Sequence, residues 1–165
     1  MHDVRDSFYD VAEVCPNGHV ANHSTQTYPQ HNRTFCEKCG EKTITKCPAC
    51  HEPIRGDYHV SGYVGPSGYE PPAFCSDCGR PFPWTDRRLA AAKELVLEAE
   101  HLTADERIQL AETLDDIVRD VPRTQIAAMR FKRLATKAGA ATAGALRDII
   151  VDVASETAKK IIWPA

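Results

Sequence analysis

Apolar positions along this chain follow two regimes, and the change comes at Trp84-Thr85-Asp86. Upstream, apolar runs are as short as Val11-Ala12, and Ile44 stands alone between Thr43 and Thr45. Pro, Gly, Asn, Thr and charged residues fill the gaps. This pattern predicts short strands and turns with a core too small to offset ordering entropy unaided. The aromatics Tyr58, Tyr63, Tyr69, Phe74, Phe82 and Trp84 are expected to supply most of the remaining packing, as core and strand residues rather than a base-stacking platform.

Downstream the period becomes helical. Thr85 reads as a cap with Asp86 in the first turn, and Leu89, Ala92, Val96 and Ala99 recur behind it until His101-Leu102. Thr103-Ala104-Asp105-Glu106 fits a capping box ahead of Ile108, Ala111, Leu114, Ile117, Val118 and Val121, so an antiparallel helical hairpin is expected. Pro122 breaks that helix and suits the first turn of a third, running through Ile126, Phe131 and Leu134 to Ala138, with Gly139 as its stop. A last helix carries Leu146, Ile149, Ile150, Val153, Ile161 and Ile162, and Pro164 lies beyond it.

The cysteines explain how the first half folds without a large core. Seven cysteines and one histidine fall into the pairs Cys15/His19, Cys36/Cys39, Cys47/Cys50 and Cys75/Cys78, which is every cysteine in the chain. Each spacing lets one tight turn present both side chains to a single ion, and eight donors suit two tetrahedral zinc ions. Gly40 and Gly79 directly follow Cys39 and Cys78, where a metal knuckle needs positive φ. His19 is the eighth donor, with His23 and His31 as its competitors. Loop lengths favour sequential pairing, first with second and third with fourth, over a cross-braced or nested arrangement. The fold class is therefore α+β: tandem zinc ribbons built of short β-hairpins in residues 1–84, then a helical bundle in residues 85–165.

Four protein ligands leave a zinc ion no open position, which makes both ions structural. Paired Cys-x2-Cys motifs in a chain whose opening, Met1 to Asp6, has no apolar core of signal-peptide length point to a reducing cytoplasm. No run of about 18 uncharged apolar residues is present, so no membrane-spanning helix is expected. The sequence holds no phosphate-cradling glycine loop, no Gly-x-Ser-x-Gly elbow and no His-Glu-x-x-His. His31, His51 and His59, with Asp57 and Glu70, show no spacing that suggests acid/base work, and a non-enzyme is expected.

Charge in the helical half is segregated. Residues 86–120 hold ten acids and five bases, whereas residues 121–138 hold Arg123, Arg130, Lys132, Arg133 and Lys137 with no acid. All but Lys132 share one face on a helical wheel. Packing of this basic helix beside the acidic hairpin is the favoured reading, because the chain's formal net charge is −3 and a phosphate-binding domain more often carries a positive field.

The segments Cys15-Pro16-Asn17-Gly18-His19, Phe35-Cys36-Glu37-Lys38-Cys39-Gly40, Pro53-Ile54-Arg55-Gly56-Asp57-Tyr58-His59, Pro71-Pro72-Ala73-Phe74-Cys75, Pro81-Phe82-Pro83-Trp84 and Ala154-Ser155-Glu156-Thr157-Ala158-Lys159-Lys160 resemble a family of small bacterial zinc-ribbon proteins grouped as a domain of unknown function. The resemblance implies zinc binding and supplies no activity. Two functions follow as expectations. One is a non-catalytic interaction or adapter protein whose helices bind a protein partner or another copy. The other is a nucleic-acid binder using the basic helix 123–137.

Overall fold

The computed structural model describes residues 7–165; the expectation drawn from Met1 to Asp6 lies outside the described residues. The chain divides into two compact units between Thr85 and Asp86. The architecture is mixed α+β, with short antiparallel strand pairs in the first unit and helices in the second.

In the first unit β1 (Phe8–Val11) pairs antiparallel with β4 (Arg55–His59), setting Phe8 opposite His59 and Tyr9 opposite Tyr58. β2 (Glu13–Val14) pairs with β3 (Val20–Asn22), and β2 gains a second neighbour where Val14 and Ile44 exchange backbone bonds of 3.0 and 2.9 Å. The isolated apolar residues of the sequence thus meet across strands. Ala12, Val14 and Ile54 are fully buried, and a 3-10 turn, Pro29–His31, lies on the surface.

Phe82 and Trp84 belong to this core as expected, stacking at 4.6 Å with the Trp84 indole donating to the Pro72 carbonyl at 2.9 Å. Tyr58 and Tyr63 do not. They are 51% and 73% exposed, which corrects the expectation that they pack inside. On β4 Tyr58 instead lies against the equally exposed Tyr9 of β1, with ring centroids 4.7 Å apart.

Asp10 is the best-connected polar group of this unit. Its side chain is fully buried and accepts from the amides of Val11, Gln26 and Thr27 at 2.6, 2.9 and 3.0 Å and from the Thr27 hydroxyl at 2.7 Å. Burial is the largest influence on its acidity and acts upward, but the Thr27 hydroxyl and these amides outweigh it, so the carboxyl sits below its ordinary range. A lowered folded-state pKa means stability that is present above the unfolded pKa and lost as pH falls through the folded one. Asp10→Ala is expected to cost about 3 kcal/mol at neutral pH, because it orphans several buried donors. In denaturant titrations at fixed free zinc, the gap from the parent protein should narrow as pH drops below roughly 4.

α1 (Pro83–Leu97) begins in the first unit and runs into the second. Thr85 is not its cap. The helix starts two residues earlier at Pro83, and the fully buried Thr85 donates its hydroxyl to the Ala73 carbonyl at 2.8 Å. α2 (Ala104–Ile117) carries the expected capping box, with Thr103 accepting from the Glu106 amide and Glu106 reaching back to the Thr103 amide. Lys93 on α1 meets Asp115 on α2 at 2.8 Å.

α3 (Thr124–Lys137) packs against α2, α4 (Ala140–Ile150) and α5 (Glu156–Ile162). Pro122 precedes α3 rather than opening it, and the Thr124 hydroxyl ties the turn by donating to the Arg119 carbonyl at 2.6 Å. Gly139, at φ 103°, separates α3 from α4 as expected of a stop. The single last helix of the sequence reading is instead two. Ser155 splits it by donating its amide to the Ile117 carbonyl at 2.8 Å while its side chain caps α5 at the Ala158 amide. Leu110, Leu114, Ile117, Ala128, Phe131, Leu146 and Ile150 form the buried interior. Among the described residues, no helix is long and apolar enough to cross a membrane.

Candidate metal centres

Three of the four donor pairs sit on knuckles of one design. The amide of the first cysteine donates across the turn, Cys36 N–H to the Glu41 carbonyl, Cys47 N–H to the Glu52 carbonyl and Cys75 N–H to the Arg80 carbonyl, each at 2.8 Å. The residue after the second cysteine then donates back, Gly40 to Cys36 and His51 to Cys47 at 2.8 Å, Gly79 to Cys75 at 2.9 Å. That donor position has positive φ in all three: 74° at Gly40, 64° at His51 and 73° at Gly79. Single bridges Phe35/Lys42, Lys46/Pro53 and Phe74/Pro81 clamp the bases of the knuckles. In the remaining pair Gly18, at φ 89°, donates to the Cys15 carbonyl, and the Cys15 amide donates to the His19 carbonyl.

His51 is the one residue with a side chain in this strained position among the described residues. His51→Gly is expected to raise stability by about 1 kcal/mol, the approximate penalty of a left-handed conformation for an L residue. Thermal unfolding at fixed free zinc measures it, and an unchanged or lower midpoint would contradict the strain argument.

The knuckles converge in sequential order. Cys15, His19, Cys36 and Cys39 form one cluster and Cys47, Cys50, Cys75 and Cys78 the other, with the donor atoms of each within 4.8 Å of one another. The cross-braced and nested alternatives do not occur. All eight residues singled out in the sequence are brought together, and His19 rather than His23 or His31 completes the first set.

The spacing of donors fits tetrahedral zinc. Zn–S bonds of about 2.3 Å put two sulfurs of a tetrahedron about 3.8 Å apart, and a Zn–N bond of about 2.0 Å puts nitrogen and sulfur about 3.5 Å apart. Cys15 Sγ lies 3.7 Å from Cys39 Sγ, Cys50 Sγ 3.7 Å from Cys75 Sγ, and Cys47 Sγ 3.8 Å from Cys78 Sγ. His19 Nδ1 stands 3.5 Å from both Cys15 Sγ and Cys36 Sγ. These sulfurs are far outside the roughly 2.05 Å of a disulfide. All seven cysteines are free thiols.

Electrostatics also call for a cation. The Asn17 side-chain amide, 3.4 Å from Cys39 Sγ, is the main cause that brings the Cys39 thiol down to about 6. Burial acts upward on Cys47, yet the amides of Cys50 and Ala49 bring it to about 7. At Cys50 the Glu52 amide favours the thiolate, but burial and the thiols of Cys75, Cys78 and Cys47 push it up to about 12. Burial likewise raises Cys15. Each cluster therefore tends toward a partly ionised state by itself, and a divalent ion lets all its thiols ionise together.

Residues 8–162 match the family described as "Uncharacterized protein conserved in bacteria (DUF2321)". The chain belongs to this family. The match spans both metal clusters and all five helices up to Ile162. No curated protein and no solved structure matches the chain.

Other groups named in the sequence serve the scaffold. His59 lies 3.4 Å from Asp10, and His23 lies 3.4 Å from Asp57. Between these histidines the buried Ser24 hydroxyl is 3.0 Å from His23 Nδ1 and 3.2 Å from His59 Nε2. Sequence spacing did not single out Asp10 or Ser24, because their partner His59 lies 49 and 35 residues away. Two of the five bases in residues 121–138 are ion-paired: Arg123 with Asp116 at 3.3 Å, and Lys137 with Glu106. Lys137 is the first cause that holds the Glu106 carboxyl below its usual range.

Proposed function

We propose that this protein is a non-catalytic zinc-binding interaction protein of the reducing cytoplasm. Two structural zinc ions, one per cluster, hold the N-terminal unit, and the helices bind a protein partner or a second copy. The observation that carries the reading is the closure of both donor sets. Each cluster supplies four protein donors at tetrahedral spacing, and a tetrahedral zinc then has no position left for water or substrate. The best-placed acid/base groups support the same reading, since Asp10 and Ser24 are buried and hydrogen-bonded within the scaffold. Exposed Ile126 and Met129, on the outward side of α3, give the helices apolar surface for a partner.

The nucleic-acid alternative draws on Arg123, Arg130, Arg133 and Lys137. Two of these four are engaged with α2, which leaves Arg130 and Arg133 and weakens that reading.

Two measurements test the proposal together. Cobalt-substituted protein should show tetrahedral spectra at both sites that do not respond to added azide; a response at either site would reject a purely structural role. Light scattering and affinity capture from a bacterial lysate should reveal a second copy or a protein partner. A strict monomer that retrieves nothing would reject the interaction role, and binding to DNA or RNA that weakens steeply with salt would favour the alternative.

A further inference from the structure

The first metal cluster borders a cleft of about 430 Å3, within the usual size range of small-ligand sites. β3 lies along one side of it, Tyr28 and the turn Pro29–His31 along another, and the knuckle residues Cys36–Lys38 along a third. These walls are fixed to one another. The buried Asn22 side chain donates to the Tyr28 carbonyl at 2.9 Å and to Asn32 Oδ1 at 2.7 Å, and Glu13 accepts the Arg33 amide at 2.6 Å.

His19 has one ring nitrogen in each environment. Nδ1 faces the thiols, so a metal-bound neutral imidazole carries its hydrogen on Nε2. A ligating histidine almost always donates that second N–H to a carboxylate, a carbonyl or water. Among the described residues no protein group accepts from His19 Nε2. Among the same residues no buried side-chain nitrogen or oxygen lacks a partner, so Nε2 is solvent-accessible, and His19 lines the cleft.

The other polar groups of the cleft lean the same way. Two of its side-chain acceptors are engaged: Asn22 Oδ1 takes the Ser24 amide, and Glu37 Oε1 takes Arg33 at 3.2 Å. Lys38 makes no side-chain hydrogen bond or ion pair among the described residues, and Tyr28 and His31 also line the opening. Two unengaged donors on the walls of one cleft, His19 Nε2 and Lys38, suit a ligand that only accepts.

We propose that this cleft binds a small oxyanion, a phosphate or carboxylate head group, which accepts from His19 Nε2 and pairs with Lys38. The inference rests on zinc occupying the first cluster. Zinc with three thiolates and a neutral histidine carries about one negative charge, so the attraction comes from Lys38 rather than from the metal.

The test uses zinc-loaded full-length protein labelled with 15N in histidine, and its metal content is measured first. Inorganic phosphate and acetate are titrated separately at constant ionic strength set with chloride, while the His19 Nε2 resonance is followed. The expected result is a saturable shift with one of them, weakened about tenfold by Lys38→Ala, the typical size of one charge-assisted hydrogen bond. Tighter phosphate binding assigns a phosphate head group, and tighter acetate binding a carboxylate. A His19 resonance unmoved by either anion in two-zinc protein would overturn this inference alone. A saturable shift that Lys38→Ala leaves unchanged would overturn it too, as an adventitious ion only. Absence of zinc at the first cluster would overturn both it and the metal reading beneath it.

Discussion

Stripping zinc with a strong chelator is expected to unfold residues 7–85 and leave the helices of residues 86–165 folded. The first unit contributes few fully buried apolar side chains, chiefly Ala12, Val14 and Ile54, with Phe82 and Trp84 near its end. Its strands are two to five residues long. Structural zinc contributes on the order of 10–16 kcal/mol per site in small metal domains, as much as the whole stability of an ordinary domain. Losing two such terms exceeds anything that core could supply. The second unit holds its own interior of Leu110, Leu114, Ile117, Phe131, Leu146 and Ile150 and contains no metal donor. Hydrogen exchange resolved by peptide reads the outcome directly. Protection should vanish across the knuckles and persist in α2 to α5. Retained protection in both units would show that the knuckles fold without metal.

Gly56→Ala is expected to be among the most damaging single substitutions outside the donors. A Cβ built there would stand 2.4 Å from the His23 carbonyl oxygen and 2.9 Å from both the Asp10 carbonyl oxygen and the Val11 carbonyl carbon. All three are backbone atoms, so no side-chain rotation relieves the clash. The same close approach lets the Asp57 amide donate to the His23 carbonyl at 2.9 Å, and it holds β4 beside the loop that wraps Asp10. A methyl group should force these segments apart at a cost of about 3 kcal/mol or more. Gly68 is the internal control, because a Cβ there meets nothing within 4 Å and its φ is ordinary. Gly68→Ala should change stability by less than about 0.5 kcal/mol. Equal effects at the two glycines would refute the close-approach argument.

Features set by neighbours in sequence were legible in advance. The donor pairs, the capping box of α2 and the stop at Gly139 each depend on a few adjacent residues, and the structure has all of them. Features set by distant partners were not. Thr85 has the chemistry of a cap, but its hydroxyl finds Ala73 twelve residues back, and the helix starts earlier. Ser155 breaks the last helix because its amide finds Ile117 on α2. Periodicity counted Ile108 and Ile126 as inward, yet they are 58% and 62% exposed, since smaller residues such as Ala127 and Ala128 take the inner face of α3. Pairing of the knuckles was also open in the sequence. It depends on how β2, β3 and the Val14/Ile44 bridge fold Cys15 back toward Cys36.

The central claim is that eight side chains hold two zinc ions in place of a core. Native mass spectrometry of the freshly purified chain under non-reducing conditions tests it most directly. Two zinc ions per chain, with all seven thiols unbridged, is the expected result. One ion or none, or a mass deficit showing disulfides where zinc should be, would contradict it.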